Sequence, residues 1–322
     1  MSSIDDLSAL IARHVPGVGI HRTALPNVSL ALAWAPTMPM PTLYKPSLCI
    51  VASGSKRVEL GKAGYLYDAA TFLAVSVDLP VTGAVVDASS DRPFLCLRLD
   101  IDVGVLRELV LDGYGAPPAG GTPVGLMRGR TTPELVDAAV RLLRLLDAPA
   151  DVAPLAPLAE REILYRLLTG STAGMMRHIA SVDSRLSQIS RAIVWLREHY
   201  RDVFTVEDLA RKIGMSPSAF HLHFKAVTTM SPLQFRNGLR LQSARRMMVA
   251  EGRDAASAGF EVGFQSPSQF SREYARFFGA SPLRDTRRLR EDPELWVTSH
   301  LRHLSDRSQP SRVGHTGAVH EG

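Results

Sequence analysis

The N-terminal third of the chain alternates short apolar runs with turn-forming residues. Between residues 27 and 102 the runs are three to eight residues long and are separated by Gly, Pro and Asp. This spacing predicts short antiparallel strands packed as a sandwich or barrel. In the last run Phe94, Cys96 and Arg98 share one face, and leucines occupy the other. The predicted strands lie at 28–34, 47–52, 57–60, 65–67, 71–77, 81–86 and 94–101.

The pattern changes to helical spacing after residue 102. Apolar residues recur every three or four positions at 103–111, 133–146 and 158–168, which predicts helices following the strands. The Gly- and Pro-rich segments 113–123 and 148–157 are predicted loops.

From residue 181 the chain is predicted to be almost continuous helix. Segment 185–199 places an apolar stripe on one face, and Thr205 with Asp208 resembles a capping box. Four Ser-Pro pairs, at 216, 231, 266 and 281, each place a capping serine before a proline in the first helical position. The tail at 291–322 has no periodicity and is predicted to be disordered.

An internal repeat links two segments of this helical region. Residues 206–235 and 254–285 match at a constant offset of 50, and each is predicted to form a helix, a short turn and a capped helix. This is the order of a helix-turn-helix, whose second helix enters the major groove of DNA. One such match fits an ordinary helical hairpin, but two matches at a fixed offset favour paired helix-turn-helix units. The matched pairs are Ser216 and Ser266, Phe220 and Phe270, Phe224 and Tyr274, and Ser231 and Ser281.

The net charge of +5 is concentrated in this repeat region. Residues 1–182 sum to −1, residues 183–290 to +8 and residues 291–322 to −2. A basic segment beside a neutral one indicates a polyanionic partner, either nucleic acid or an anionic membrane surface. The intervening segment 232–250 would make about 28 Å of helix, close to the ~34 Å between successive major-groove faces.

Composition excludes several other classes of protein. The chain has no apolar run of the ~18–20 residues that cross a membrane. Its N-terminus is polar and acidic, and Cys49 and Cys96 are too few for a disulfide framework or a zinc finger. These features predict a cytoplasmic protein.

The second repeat carries the residues by which segment 183–290 resembles the DNA-binding domain of the AraC/XylS family of bacterial transcription regulators. They are Ala258, Gly259, Phe260, Gly263, Phe264, Phe270, Tyr274, Phe278, Gly279 and Pro282, with the linker 240–247. The N-terminal half is similar to the sensor domain of one branch of that family, in the stretches 56–58, 65–68, 76–80 and 163–168.

The resemblance implies an α+β chain. A cupin-like β-barrel with covering helices precedes an all-α domain, in which a linker helix joins two helix-turn-helix units. The expected divisions are an N-terminal extension (1–25), an effector-sensing or dimerisation domain (26–180), a DNA-binding domain (183–290, with units at 206–228 and 254–278) and the tail (291–322). Recognition helices are expected at 217–228 and 267–278.

The resemblance also implies the partners. They are double-stranded DNA, a small-molecule effector, RNA polymerase and a second copy of the chain in a homodimer. The leucine-rich helices near 142–146 and 163–168 either cover the barrel or pair two subunits. Activation and repression of transcription remain equally open.

The DNA-reading residues are expected on the helix faces away from the apolar stripes. Arg forms paired hydrogen bonds with guanine, and Gln forms them with adenine. Arg272 and Gln269 are therefore the leading candidates for base contacts. Arg276 is an expected phosphate contact, as are Arg240, Arg245 and Arg246. In the first unit Leu222 replaces the family's Arg and limits that position to apolar contact, while Thr229 replaces a Gly suited to a left-handed turn. The full predicted set is Ser218, His221, Leu222, Lys225, Arg240, Ser268, Gln269, Ser271, Arg272 and Arg276.

The barrel is expected to bind an organic effector without a metal or cofactor. Metal-binding cupins use clustered His and Glu, but the only histidines before residue 178 are His14 and His21, upstream of the strands. Candidates for the effector pocket are Trp34, Tyr65, Tyr67, Phe72 and Cys96.

Two other functions remain as alternatives to a sequence-specific regulator. A cupin-type enzyme with an appended basic domain would need a ligand or acid–base cluster within 27–102, and none is present in the sequence there. A nonspecific architectural DNA-binding protein would not need the separate sensor-like half.

Overall fold

The structure, a computed structural model, describes residues 2–61, 63–115, 124–181 and 184–291. Within these ranges a β-rich half with covering helices is followed by a helical half, which confirms the predicted architecture. The tail predicted to be disordered lies outside the described residues, apart from Glu291.

The β-rich half contains two antiparallel sheets that face each other as a barrel. One sheet has the strand order β1-β2-β9-β4-β7-β10 and the other has β3-β8-β5-β6. The strands are β1 (Gly19–Arg22), β2 (Val28–Ala33), β3 (Met40–Tyr44), β4 (Ser47–Ser53), β5 (Ser55–Leu60), β6 (Ala63–Asp68), β7 (Thr71–Val75), β8 (Leu79–Asp87), β9 (Phe94–Asp100) and β10 (Leu126–Arg130).

Both faces of the larger sheet are buried, which explains its nearly continuous apolar strands. In β9, Phe94 and Cys96 face the barrel interior, whereas Leu95 and Leu97 face the helices. This confirms the alternation predicted for residues 94–100.

Helices cover the outer face of that sheet. Leu7 and Ile11 of the first helix and Ile163 and Leu164 of the fourth are buried in the same core as the leucines of β9. We call it the outer core. The helices are α1 (Ile4–His14), α2 (Val103–Leu111), α3 (Pro133–Arg144, followed by a 3₁₀ turn at Leu145–Asp147), α4 (Pro149–Thr169) and α5 (Ala173–Ala180).

The helical half contains the predicted repeat. Ser216 and Ser266 accept hydrogen bonds from the backbone N–H of Ala219 and Gln269, at 3.3 and 3.2 Å, which confirms them as helix N-caps. The helices are α6 (Arg185–Glu198), α7 (Val206–Lys212), α8 (Pro217–Thr228), α9 (Pro232–Ala250), α10 (Ala255–Glu261), α11 (Pro267–Phe278) and α12 (Pro282–Glu291).

Several elements differ from the sequence prediction. Segment 148–157 is helical rather than a loop, because Pro149 opens α4 while Pro154 and Pro157 lie on its exposed side. The region predicted as an extension contains α1, and β1 within it pairs with β2. The strands β1, β3 and β10 and the helix α5 were also missed.

The hydrophobic cores of the described residues do not follow the division between strands and helices. A second core, the shared core, joins the barrel interior to the first helix-turn-helix unit and contains Leu79, Leu126, Phe224 and Val227. A third, the second-unit core, contains residues of α9, α10 and α11, among them Phe270 and Tyr274. The first unit is therefore packed on the barrel, and the second unit has a core of its own.

Candidate nucleic-acid interface and effector cavity

The helices α8 and α11 each bury one aromatic face. Phe220, Phe224, Phe270 and Tyr274 are fully buried, as the repeated stripe predicts. The spacing of Phe270 and Tyr274 also predicts Phe277 in the second stripe, but Phe277 is 36% exposed, and the stripe continues through the half-buried Phe278 instead. The opposite face of each helix is open to solvent.

The exposed face of α11 carries the predicted base-reading residues. Ser268, Gln269, Ser271 and Arg272 are all exposed. Among the described residues no acidic side chain lies within ion-pair distance of Arg272. Its guanidinium is therefore available to an external acceptor.

Arg276, one turn further along, is exposed but already paired. It forms an ion pair with Glu273, which also accepts a 3.0 Å hydrogen bond from the side-chain amide of Asn237 in α9. Glu273 thus ties α11 to the linker helix, and Arg276 must share its charge between Glu273 and any phosphate.

The exposed face of α8 is less polar. Ser218, His221 and Lys225 are exposed, and Leu222 exposes 67% of its surface between them. An exposed leucine in the middle of the predicted reading face fits an apolar contact, such as one to a thymine methyl group.

Arg240 has other partners than the phosphate predicted for it. It is only 9% exposed and donates hydrogen bonds to the backbone carbonyls of Tyr200 (2.6 Å), Gly263 (2.8 Å) and Arg201 (3.2 Å). Burial lowers the pKa of Arg240. Its guanidinium connects Gly263, between α10 and α11, to Tyr200 and Arg201, between α6 and α7. This geometry favours a structural role for Arg240 over the phosphate contact predicted for it.

A buried ion pair holds the last helix, and sequence reasoning missed it. Arg245, expected near the backbone of DNA, donates to both carboxylate oxygens of Asp285 at 2.7 and 3.0 Å, with 2% and 0% of the two side chains exposed. The hydroxyl of Tyr274 donates to the same carboxylate at 2.7 Å. The sequence repeat contained a signal for this cluster. At the offset of 50, Phe224 of the first unit corresponds to Tyr274 of the second, so only the second unit has a hydroxyl at that position.

The structure brings together only three of the five predicted effector residues. Trp34 is 49% exposed, and Phe72 packs into the outer core rather than the barrel interior. Tyr67 and Cys96 are buried in the shared core, and Tyr65 packs against that core at its edge.

A small cavity of about 40 Å³ lies instead between β2, β3 and β8. The side chains of Ala31, Ala33, Val85 and Phe94 make most of it apolar, and Lys56 supplies a charge. None of the five predicted pocket residues lines it. It is enough room for a few water molecules.

Lys56 is the polar feature of this cavity. Its ammonium group lies 5.7 Å from the centre of the Tyr44 ring. Burial lowers the pKa of Lys56, but electrostatic attraction to Tyr44, a hydrogen bond to the same side chain, and attraction to Cys96 and Cys49 outweigh it, so the net pKa is raised. The cavity therefore presents a cation among apolar groups.

Two family descriptions match the chain. "AraC-type transcriptional regulator N-terminus" matches residues 24–175, and "Helix-turn-helix domain" matches residues 209–288. Among the described residues no helix is long and apolar enough to span a membrane.

Curated relatives match over part of their length. The HTH-type transcriptional activator RhaS of Citrobacter koseri is 30% identical over 148 residues, which is 45% of this chain and 49% of RhaS. RhaS of Salmonella schwarzengrund is 28% identical over 153 residues, 47% of this chain and 54% of the relative. The chain thus spans about half the length of these relatives.

Solved structures share the fold across both halves. ToxT from Vibrio cholerae O395 aligns with a TM-score of 0.51 and 10% identity, over 81% of this chain and 97% of ToxT. The same protein bound to (E)-4-(8-methylnaphthalen-1-yl)but-3-enoic acid aligns with a TM-score of 0.51 and 11% identity, over 82% and 98%.

Proposed function

Because this chain belongs to the AraC family of transcription regulators, we propose that it binds a specific DNA sequence and regulates transcription. The helices α8 and α11 enter successive major grooves, and the barrel binds a small-molecule effector. The observation that carries this proposal is the exposed polar face of α11, directly opposite its buried aromatic stripe.

The base-reading roles follow from the chemistry of that face. Arg272 offers two parallel donors to the O6 and N7 atoms of guanine, and Gln269 pairs with the N6 and N7 atoms of adenine. Ser268 and Ser271 lie beside them and hydrogen-bond to bases or phosphates. Arg276 contacts phosphate.

The first unit reads DNA with a different balance of contacts. Leu222 packs against thymine methyl groups, while His221 and Lys225 supply hydrogen bonds and charge. The first half of the site is therefore expected to favour thymine where the family's arginine favours guanine.

Binding to DNA from around the protein's own gene tests the proposal. The purified protein is titrated against this DNA and against a scrambled duplex at several salt concentrations. We expect one site bound at least about a thousandfold more tightly than the scramble, with affinity falling as salt rises. Equal affinity for both duplexes would favour the architectural alternative.

Replacing single arginines of α11 separates base reading from phosphate contact. Arg272→Ala is expected to cost about 1–3 kcal/mol of binding and to relax the preference at one base pair. Arg276→Ala is the matched control, one turn away, and should weaken binding equally for all sequences. A uniform loss for Arg272→Ala as well would make Arg272 a phosphate contact.

The cavity beside Lys56 supports an apolar effector that carries one carboxylate. A protonated amine among apolar groups recognises such an acid and discriminates against its neutral analogue. ToxT has been solved with an apolar acid, which is the same chemical class. Because the cavity is small, we expect the loops around it to move when an acid enters.

Decanoic acid and decanol test this ligand class. In a thermal-shift titration, decanoate should stabilise the protein and decanol should do so more weakly. Lys56→Met keeps the aliphatic stem and should remove the difference between the two ligands. An unchanged difference would place the carboxylate away from Lys56.

The remaining partners belong to the same proposal. We propose that the chain acts in the cytoplasm, contacts RNA polymerase and forms a homodimer. The leucine-rich helices bury Leu142 and Ile163 in the outer core, so these two side chains cover the barrel, while Leu158 and Tyr165 of α4 face outward for a second copy. Sedimentation velocity tests for the homodimer. A monomer at micromolar concentration would contradict this part of the proposal.

The enzyme alternative requires a metal or an acid–base cluster. Among the described residues no group of three or more His, Cys, Asp or Glu side chains is placed to hold a metal. Elemental analysis of the purified protein tests this alternative, which a stoichiometric metal would favour.

A further inference from the structure

The end of helix α8 has an unusual backbone conformation. Thr229 caps this helix with φ +60° and ψ +6°, the left-handed region that a β-branched residue rarely adopts. At the offset of 50 the second unit has Gly279 in the same conformation, with φ +74° and ψ +3°. Glycine takes this cap without strain, so threonine in the first unit needs a compensating contact.

The compensating contact crosses from the helical half to the barrel. The hydroxyl of Thr229 donates a 3.0 Å hydrogen bond to the backbone carbonyl of Leu60, the last residue of β5. The next residue, Gly61, has φ +60°, and a Cβ atom there would lie 2.4 Å from the threonine hydroxyl. Glycine on the barrel side thus makes room for threonine on the helix side.

A second close approach lies beside the first. A Cβ atom on Gly125, just before β10, would lie 2.2 Å from the carbonyl oxygen of Val227 in α8. The side chain of Val227 is 1% exposed and belongs to the shared core with Leu79 and Leu126 of the barrel. Two glycines therefore let the last turn of α8 lie directly on the barrel.

An ion pair fixes the neighbouring helix to the same side of the barrel. Asp78, between β7 and β8, pairs with Arg197 of α6, and only 9% of its side chain is exposed. Burial raises the pKa of Asp78 more than the attraction of Arg197 lowers it. Lys45 and Arg98 lower this pKa together with Arg197, so the three cations offset part of the cost of burying the carboxylate.

The strands that reach α8 also line the cavity. In β5, Lys56 lines the cavity and Leu60 accepts the hydrogen bond from Thr229. In the adjacent β8, Gly83 and Val85 line the cavity, and Leu79 is in the shared core. Each of these two paired strands thus has one end at the cavity and one end at the first unit.

The contact leaves the DNA-reading face of α8 free. Ser218, His221, Leu222 and Lys225 stay exposed while Thr229 and Val227 touch the barrel. The barrel therefore does not cover the reading residues, and its effect on DNA binding acts through the direction in which α8 points.

We propose that Thr229, with Asp78 and Arg197, positions the first recognition helix on the barrel, so that strands β5 and β8 set the direction of α8. This inference rests on the proposed DNA-binding function for its consequence, but the positioning contact itself is independent of DNA. The cap threonine is a positioning residue, since it acts on DNA only through α8.

Three substitutions of Thr229 in the full chain separate its hydroxyl from its strain. Thr229→Val keeps the shape and the strained cap but loses the hydroxyl, Thr229→Ser keeps the hydroxyl, and Thr229→Gly removes the strain and the hydroxyl together. Hydrogen exchange is measured without DNA over segments 55–68 and 217–231. We expect Val to speed exchange in both segments by about fivefold to tenfold, the factor that one hydrogen bond supplies, Gly to speed it less because the strain is relieved as well, and Ser to match the wild type.

The ion pair gives an independent arm. Asp78→Arg and Arg197→Asp should each speed exchange at the same segments, and the double exchange of charges should restore protection. Wild-type exchange in Thr229→Val and Thr229→Gly, or no restoration in the charge-exchanged pair, would overturn the positioning role.

A footprint on the specific site then reads the consequence for DNA. Thr229→Val should lose protection at the half contacted by the first unit and keep it at the half contacted by the second. Equal loss at both halves would count against the inference. Absence of any specific site in the wild type would refute the proposed function, while the exchange measurements would still decide the positioning contact.

Discussion

Arginine side chains of the helical half have three different roles. Arg272 is exposed without an ion-pair partner among the described residues, Arg240 braces backbone carbonyls, and Arg245 neutralises a buried carboxylate. The sequence predicts the first role, because Arg272 lies off a stripe with helical spacing. It does not predict the other two, because their acceptors are brought close only by the fold. Gly263 is 23 positions away from Arg240 in the sequence, and Asp285 is 40 positions away from Arg245.

Arg240→Met distinguishes the structural role from the phosphate contact first expected. The substitution should lower the free energy of unfolding by about 2–3 kcal/mol, because three backbone carbonyls lose the charged donor of a buried side chain. It should leave the slope of log affinity against log salt unchanged, measured where the variant is fully folded. Arg276→Met should do the opposite, with stability kept and the salt slope reduced by about 1. A reduced slope for Arg240→Met would return it to the DNA interface.

Helix ends were predicted well where their signals are local and poorly where they depend on burial. The caps at Ser216 and Ser266 need only the residues beside them, and both were correctly predicted. The start of α4 was missed because its prolines suggest a loop, and only the packing of its buried face in the outer core holds the helix. The cavity was missed for a related reason, since it lies between strands that are distant in sequence.

Gly279→Ala tests the left-handed cap of α11. A Cβ atom at Gly279 has open space around it, so the cost comes from the backbone alone, and we expect a loss of about 1–2 kcal/mol in stability. Gly174→Ala is the matched control, because that position is also open but lies within the helix α5, and it should gain about 0.5–1 kcal/mol. Urea denaturation measures both. An unchanged free energy of unfolding for Gly279→Ala would show that the backbone of the cap adjusts to the added side chain.

At the scale of the molecule, the sequence predicted the two halves and the position of the excess positive charge. It predicted the change from strands to helices after residue 102, and α2 begins there at Val103, but β10 (Leu126–Arg130) returns to the sheet before the remaining helices. The sharing of a core between the barrel and the first unit was not predictable, because apolar stripes do not specify their partners. From the sequence, Val227 is expected to pack within the helix-turn-helix unit. In the structure it is also buried against the barrel.

Separate cores predict separate stability. Asp285→Ala leaves Arg245 as an unpaired buried charge and should cost about 3–5 kcal/mol in the second unit. Native-state hydrogen exchange should then quicken throughout α10–α12 and stay unchanged in β5 and α8. Tyr274→Phe removes one hydroxyl from the same carboxylate and should give a smaller effect of the same pattern. Uniform acceleration across the chain would mean that the three cores unfold together.

The shared core also decides how this protein exchanges parts with its relatives. A recombination point near residue 181 separates two pieces that look like complete modules, yet it would give the first unit a barrel without the glycines and the leucine carbonyl that fit Thr229 and Val227. A crossover within α9, after Leu239, would keep the shared core intact and transfer only the second unit. Chimeras joined there should inherit half of a new DNA specificity while keeping the original effector response, so specificity in this chain is exchangeable one groove at a time.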